Sequence, residues 1–148
     1  MPEKETLERA KEDKREGKAP STQAGEFVKE EMDHVREGKH GARSAKQAIA
    51  IGLSKARRGG VKLPPPKSGS ERTRKQAARD DAKGSSPSRP VSRKRSRAVS
   101  GALKREGRAA ASHTALSRQA HSSARKRSAT SRSQAARKAA RTRKRAGR

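Results

Sequence analysis

The side chains best suited to chemistry are few and widely spaced. Histidines occur at His34, His40, His113 and His121, and no pair has the i, i+4 spacing with glutamate that helical zinc hydrolases use. Residues 123–126 fit the S-x-x-K pattern of serine acylases, but they stand among bases with no apolar pocket to exclude water. Cysteine is absent, as are both glycine-rich phosphate-binding patterns. We therefore predict that the protein is not an enzyme and has no catalytic residues, no metal site and no cofactor.

Basic side chains are in large excess. Lys and Arg number 41 against 15 Asp and Glu, which gives a formal net charge of +26. Residues 67–148 contain 26 of these bases and only 4 acids, and a net charge of +22 favours binding to a polyanion such as DNA or RNA. The predicted nucleic-acid-binding residues are Arg93, Lys94, Arg95, Arg97, Lys104, Arg105, Arg125, Lys126, Arg127, Arg137, Lys138, Arg141, Arg143, Lys144 and Arg145. Lys46, Lys55, Arg57 and Arg58 are predicted to extend this basic surface onto a helix face.

The apolar residues that must position these bases are scarce and mostly N-terminal. Leu, Ile, Val and Phe number 13, and nine of them precede the run Pro64–Pro66. So few apolar side chains cannot offset the conformational entropy of ordering the whole chain. We therefore expect a small helical module at 1–63, a Pro/Gly/Ser linker at 64–70, and a disordered, basic, low-complexity tail rich in Ala, Arg, Lys and Ser at 71–148. The predicted fold class is mostly α and disordered.

Three short helices are expected in the N-terminal module. The first is capped by Thr6 and ends at Gly17, and the second starts at Ser21 or Thr22 and ends at Gly38. The third has Ser44 as its N-cap and ends at Gly59–Gly60. The second and third helices carry apolar stripes at helical spacing and are expected to pack as a hairpin. The stripes consist of Ala24, Phe27, Val28, Met32 and Val35, and of Ala45, Ala48, Ile49, Gly52, Leu53 and Ala56.

These stripes leave two interpretations open. They form the core of the hairpin itself, with Val61 and Leu63 as a lid, or they form a docking surface for a protein partner or a second copy. The residues predicted for such a surface are Phe27, Val28, Met32, Ile49 and Leu53. The acids Glu30, Glu31, Asp33 and Glu37 are typical of a solvated helix face.

The tail has one further local signal. Residues 70–83 are expected to form a short helix that Gly84 ends. Beyond it the like charges repel one another, so we expect disorder in water and helix formation once a polyanion screens the charge.

Residues 20–66 resemble a family of small, basic, uncharacterised bacterial proteins. The most similar stretch is SAKQAIAIGLSKARRG at 44–59, in which Gly52 stands where the family pattern leads us to expect Ala. Glycine at a helix centre costs about 1 kcal/mol relative to alanine. The resemblance implies no activity and no catalytic residues. The tail separately resembles bacterial linker-histone-like proteins in composition.

The sequence as a whole predicts a nucleoid-associated, histone-like protein that binds DNA without sequence preference. It would neutralise phosphates and compact or bridge duplexes, in the cytoplasm and without a membrane partner, since no apolar run approaches the roughly 18 residues of a membrane span. The alternative is a packaging or assembly protein that docks a partner through helix 22–37 and holds RNA with its tail. The sequence does not decide between DNA and RNA.

Overall fold

The computed structural model describes residues 2–86 and 90–147, and all regular structure in these residues is helical. The described residues up to Ser112 form one compact unit, and those from His113 onward form a second. The first unit contains α1 (Lys4–Arg15), α2 (Pro20–Glu37), α3 (Ala45–Arg58), α4 (Glu71–Gly84), α5 (Arg93–Lys104) and a 3-10 turn (Ala109–Ala111). The second contains α6 (His113–Arg125) and α7 (Ala129–Ala146).

The predicted disordered tail is wrong, because α5, α6 and α7 lie within it. The expected helix formation only on a polyanion is wrong for the same reason. The short helix expected at 70–83 is confirmed as α4. Alanine, arginine and lysine are among the strongest helix formers, and a helix satisfies its backbone hydrogen bonds locally without a large core. Serine caps add to this: Ser70 accepts a hydrogen bond from the Thr73 N–H at 3.2 Å, and Ser128 accepts one from the Ser131 N–H at 3.1 Å. Local propensity therefore outweighs the repulsion on which the prediction of disorder depended.

Some of the helix ends were predicted correctly and others were not. Ser44 caps α3 by accepting from the Gln47 N–H at 3.2 Å, and Gly38 ends α2 with a φ of 78°, both as predicted. Thr6 is not a cap: α1 begins after Glu3, and Thr6 is a buried residue of its first turns. The second helix starts at Pro20, whose fixed φ and missing N–H suit the first position of a helix.

The core of the first unit lies between α2 and α3, with α1 against α2 and α4 against α3. Phe27 is fully buried at its centre, next to Val61. Leu7, Leu53 and Leu63 pack around this cluster, so the predicted lid of Val61 and Leu63 is confirmed. Most of the other buried apolar residues are alanines: Ala10, Ala24, Ala42, Ala45, Ala48, Ala56, Ala77, Ala110 and Ala111.

Small residues let α2 and α3 approach closely. A Cβ added to Gly52 would lie 2.7 Å from the Cα of Val28 and 3.1 Å from the carbonyl oxygen of Phe27. Position 52 therefore requires glycine for packing, and this contact explains the departure from the alanine that the family pattern suggested.

The segment after α5 returns to the loop between α2 and α3. The Gly41 N–H donates to the carbonyl of Leu103 at 2.8 Å, and the Ala42 N–H donates to that of Gly107 at 3.1 Å. The 3-10 turn then packs against α2 and α3 and buries Ala110 and Ala111. Elements on both sides of residues 64–70 therefore belong to the first unit: α3 precedes them, and α4 follows them and packs against α3. The predicted linker at 64–70 thus lies inside this unit.

Candidate functional site

Helix α7 in the second unit carries a continuous basic face. Four bases follow one another at i, i+1, i+4 and i+8 and line a shallow concave surface with Gln134 and Thr142. From Arg137 to Arg145 this face is about 12 Å long at 1.5 Å per residue. No acid occurs in α7, and none of its residues is buried. The four bases are Arg137, Lys138, Arg141 and Arg145.

Helix α5 in the first unit has a comparable surface. Its bases are Arg93, Lys94, Arg95, Arg97 and Lys104, it contains no acid, and none of its residues is buried. The positive charge is concentrated in its first turns, close to the helix N-terminus, which itself attracts anions.

The fifteen bases predicted for the C-terminal part share two properties. Each of them is exposed to solvent, and none forms an ion pair within residues 2–86 and 90–147. Their charges are therefore free to meet an external anion. The group includes Arg105 after α5, Arg125 at the end of α6, Lys126 and Arg127 in the next loop, and Arg143 and Lys144 of α7.

Two of the four bases predicted on α3, Lys55 and Arg58, differ from this group. Lys46 is exposed and has no ion pair in the described part of the chain. Arg57 reaches the carbonyl of Pro64 at 3.5 Å, and Arg58 pairs with Asp80 at 2.9 Å. Lys55 lies mostly inside the unit, so at least Lys55 and Arg58 are already held by internal acids.

Lys55 joins two buried carboxylates of α2. Its Nζ lies 3.0 Å from Oε1 of Glu30 and 2.7 Å from Oε2 of Glu31, and both glutamate side chains are at most 2% exposed. The prediction that Glu30 and Glu31 belong to a solvated face is therefore wrong. Lys55 on α3 covers them, and the Glu3 N–H before α1 donates to Oε2 of Glu30 at 3.1 Å.

These surroundings shift the pKa values of the cluster. Burial by itself raises the pKa of Glu30, but the Thr6 hydroxyl, the Lys55 ammonium and the Glu3 N–H outweigh it, so the pKa lies below its ordinary value. Burial lowers the pKa of Lys55, and Glu31 and Glu30 more than offset this, so that pKa is raised. Glu30 and Lys55 are thus held in their charged forms.

Two histidines extend the cluster at the end of α2. Nε2 of His40 lies 3.2 Å from Oε1 of Glu31, and Nε2 of His34 lies 2.9 Å from Oε1 of Glu3. The two imidazole rings are perpendicular, with centroids 5.9 Å apart. The hydrogen bond from His34 and the charge of Lys39, which is 3.2 Å away, lower the pKa of Glu3.

A second buried acid fixes α4 against α3. Asp80 accepts hydrogen bonds from Ser54 at 2.7 Å, from Arg58 at 2.9 Å and from Gln76 at 3.2 Å. Burial by itself raises the pKa of Asp80, and these donors outweigh it, so the pKa lies below its ordinary value. The carboxylate therefore stays charged and holds the two helices together.

Sequence reasoning did not bring Glu31, His34 and His40 together. Helical zinc hydrolases have histidine pairs at i, i+4, whereas this cluster combines a Glu and a His at i, i+3 with a His beyond the helix end. The pattern Glu31-x-x-His34 was the available signal, because i, i+3 positions share a helix face. The position of His40 depends on how the chain leaves α2, which no short pattern specifies.

The predicted docking residues lie at different depths. Phe27 and Met32 are buried inside the first unit, while Val28, Ile49 and Leu53 are half-buried. Phe27 therefore serves the unit's own core, and docking of a partner through this surface stays a prediction.

Comparison with known proteins links one segment of the chain to a family. Residues 19–68 match the model of a family of unknown function, DUF6496, which supports the predicted similarity to an uncharacterised family over α2, α3 and the proline run. Neither a curated protein nor a solved structure gives a significant match. In the described residues, no helix combines the length and the apolar character needed to cross a membrane.

Proposed function

We propose that this protein binds duplex DNA without sequence preference, through phosphate contacts made by α5, α7 and the basic loop before α7. The observation that carries the proposal is the state of the fifteen bases: all are exposed, and none has an internal acid as partner. Arg and Lys in this state release counterions when they meet phosphates, which favours binding at low salt.

Helical form adds to the electrostatic argument. The basic face of α7 presents four charges on one side of a helix, and the major groove of B-DNA is about 12 Å wide and admits an α-helix. Side chains on a formed helix lose less conformational freedom on binding than those of a flexible arm. The face therefore suits the regularly spaced phosphates of a duplex.

We expect no sequence preference because no internal partner fixes the direction of the basic side chains. Base recognition commonly uses Asn or Gln on adenine and rigidly placed Arg on guanine, whereas the four bases of α7 are exposed and have no ion pair in the described residues. Gln134 is the only side-chain amide on the basic face of α7. Phosphate contacts position a protein on DNA without reading its sequence.

Compaction or bridging is the expected consequence in the cell. The chain carries one basic helix in each of its two units, so a single molecule has two surfaces for phosphates. Under this proposal the protein is a bacterial nucleoid component. The alternative of docking a partner through helix 22–37 has less support, because Phe27 and Met32 are buried.

The test compares two full-length variants that lose the same charge. Arg137→Gln, Lys138→Gln, Arg141→Gln and Arg145→Gln together remove four bases from α7. The control removes the exposed, unpaired Lys4, Lys11, Lys14 and Lys29 by substitution with Gln. Binding to random-sequence duplex DNA is measured by fluorescence anisotropy at several salt concentrations.

The α7 variant should show a salt slope of log K that is lower by about 3 to 4, because each lost phosphate contact removes about 0.9. The salt slope of the control variant should differ from that of the wild type by no more than about 0.9, the value for one phosphate contact. Equal slopes for both variants would mean that net charge alone attracts the protein, and the proposal would be wrong. Tighter binding to duplex RNA than to duplex DNA at every salt concentration would support the RNA-binding alternative instead.

A further inference from the structure

We infer that Glu31, His34 and His40 form a binding site for a divalent transition-metal ion, with zinc as the best-suited metal. One carboxylate oxygen and one ring nitrogen from each histidine lie within 4.8 Å of one another. Glu31 and His34 are one turn apart on α2, and His40 follows two residues after the helix ends at Gly38. The site is thus built on a rigid helix end.

The carboxylate of Glu31 is the first reason for this inference. Its side chain is only 1% exposed, and Oε1, the oxygen that does not face Lys55, has no hydrogen bond. The Lys55 ammonium lies 2.7 Å from Oε2, which leaves Oε1 directed to His40. A buried carboxylate oxygen without a hydrogen bond is costly, and a bound cation removes that cost.

The orientation of the His40 ring is the second reason. Its Nδ1 lies 3.1 Å from the carbonyl oxygen of Gly41, and its Nε2 lies 3.2 Å from Oε1 of Glu31. The ring therefore directs Nε2 and the Glu31 oxygen toward each other, as two ligands of one ion require.

The neighbours of both rings match those of metal-binding histidines. A ligating histidine usually donates its other N–H to a carboxylate or a backbone carbonyl, which fixes the ring and raises its basicity. His40 has the Gly41 carbonyl in this position, and His34 has Oε1 of Glu3 at 2.9 Å from Nε2. Each ring therefore has one nitrogen held by an acceptor and a second nitrogen left for a metal.

Ligand type selects the metal. Two imidazoles with one carboxylate suit zinc and other first-row transition metals, whereas calcium and magnesium prefer oxygen ligands alone. A tetrahedral zinc ion with bonds of about 2.0–2.1 Å holds its ligands about 3.3 Å apart, close to the distance between His40 and Glu31. Glu31 contributes a single oxygen because Lys55 holds the other one.

The test measures zinc binding to the full-length protein by competition with a chromogenic chelator. The chain has four histidines, so a matched control exists: His34→Gln and His40→Gln are compared with His113→Gln and His121→Gln, which alter α6. Wild type and both controls should bind one zinc ion per chain. Each site variant should bind at least tenfold more weakly. Equal affinity in site and control variants would overturn the inference.

Two further readouts separate a metal site from an effect on folding. Cobalt(II) should give a visible absorption spectrum typical of four- or five-coordinate nitrogen and oxygen ligation, and this spectrum should be lost in His40→Gln but kept in His121→Gln. Zinc should raise the thermal unfolding temperature of wild type and controls and leave that of His40→Gln unchanged. A site variant that keeps wild-type circular dichroism and still gains stability from zinc would contradict the site.

Discussion

Lys55 on α3 and Arg141 on α7 show two opposite uses of a basic side chain in one molecule. Lys55 is 21% exposed and lies against two buried carboxylates, so its charge holds α3 against α2. Arg141 is exposed and has no ion pair among residues 2–86 and 90–147. The comparison teaches that charge count alone does not identify a binding surface, and that partners within the fold decide which bases remain free.

Substitution of Lys55 is expected to have the largest effect. Lys55→Met leaves the buried Glu30 and Glu31 without their shared cation, and removal of one partner from a buried ion pair costs about 3 to 5 kcal/mol. Urea unfolding followed by circular dichroism measures the loss. Lys46→Met, an exposed position on the same helix, should change stability by less than about 0.5 kcal/mol. Equal losses at both positions would remove the distinction between paired and free bases.

The close contact of α2 and α3, on which the buried pairs depend, is tested at Gly52. Gly52→Ala forces the helices apart at Val28 and should cost about 1 to 3 kcal/mol. Gly25→Ala in α2 is the control, since nothing lies within 4 Å of the added Cβ, and it should stabilise the protein by about 0.5 to 1 kcal/mol. If Gly52→Ala stabilised the protein instead, α2 and α3 would have space for the added methyl group, and the close contact would be contradicted.

Acid should weaken the paired region and leave the free bases unaffected. Asp80 and Glu30 have pKa values below their ordinary values of 3.8 and 4.5, so their stabilisation is complete above those values. It is lost as the pH falls further, through the lowered pKa values of the folded state. Asp80→Asn should lower stability at pH 7 by about 1 to 2 kcal/mol and weaken the dependence on pH below about 4. A parallel shift of the whole pH profile would mean that Asp80 does not titrate with folding.

The smallest effect on stability is expected in α7. Arg141→Gln removes a charge that has like-charged neighbours at Arg137 and Arg145, four residues away on either side, and such pairs destabilise a helix by about 0.2 to 0.5 kcal/mol each. Helix content measured by circular dichroism at low salt should therefore stay constant or rise slightly. A clear loss of helix content would indicate that Arg141 has a structural partner, in contrast to the free state proposed for binding.

The parts predicted correctly from the sequence are those that depend on near neighbours. Ser44, Ser70 and Gly38 mark helix ends through contacts within four residues, and the apolar stripe around Phe27 follows from helical spacing. The burial of Glu30 and Glu31 was missed because their shared partner is Lys55, more than twenty residues away. A helical pattern predicts that a charged residue is exposed, and it does not show whether a distant part of the chain buries that residue.

The tail was predicted wrongly for a different reason. The small number of large apolar residues led us to exclude order beyond the N-terminal module, yet the first compact unit extends to Ser112 and buries mostly alanine. A helix needs no large core when Ala, Arg and Lys dominate and serine caps its start. Helix α7 could therefore have been predicted from the sequence. The cluster of Glu31, His34 and His40 could not, because it depends on the path of the loop after Gly38.

The return of the chain to α2 and α3 after α5 has a consequence for folding during synthesis. The backbone bonds from Gly41 and Ala42 to Leu103 and Gly107, and the burial of Ala110 and Ala111, join parts separated by more than sixty residues. Contacts of such long sequence separation slow folding, because a long loop must close before they form. As the chain emerges from the ribosome, α2 and α3 can pair early, but the first unit is closed only when Ala111 has left the exit tunnel.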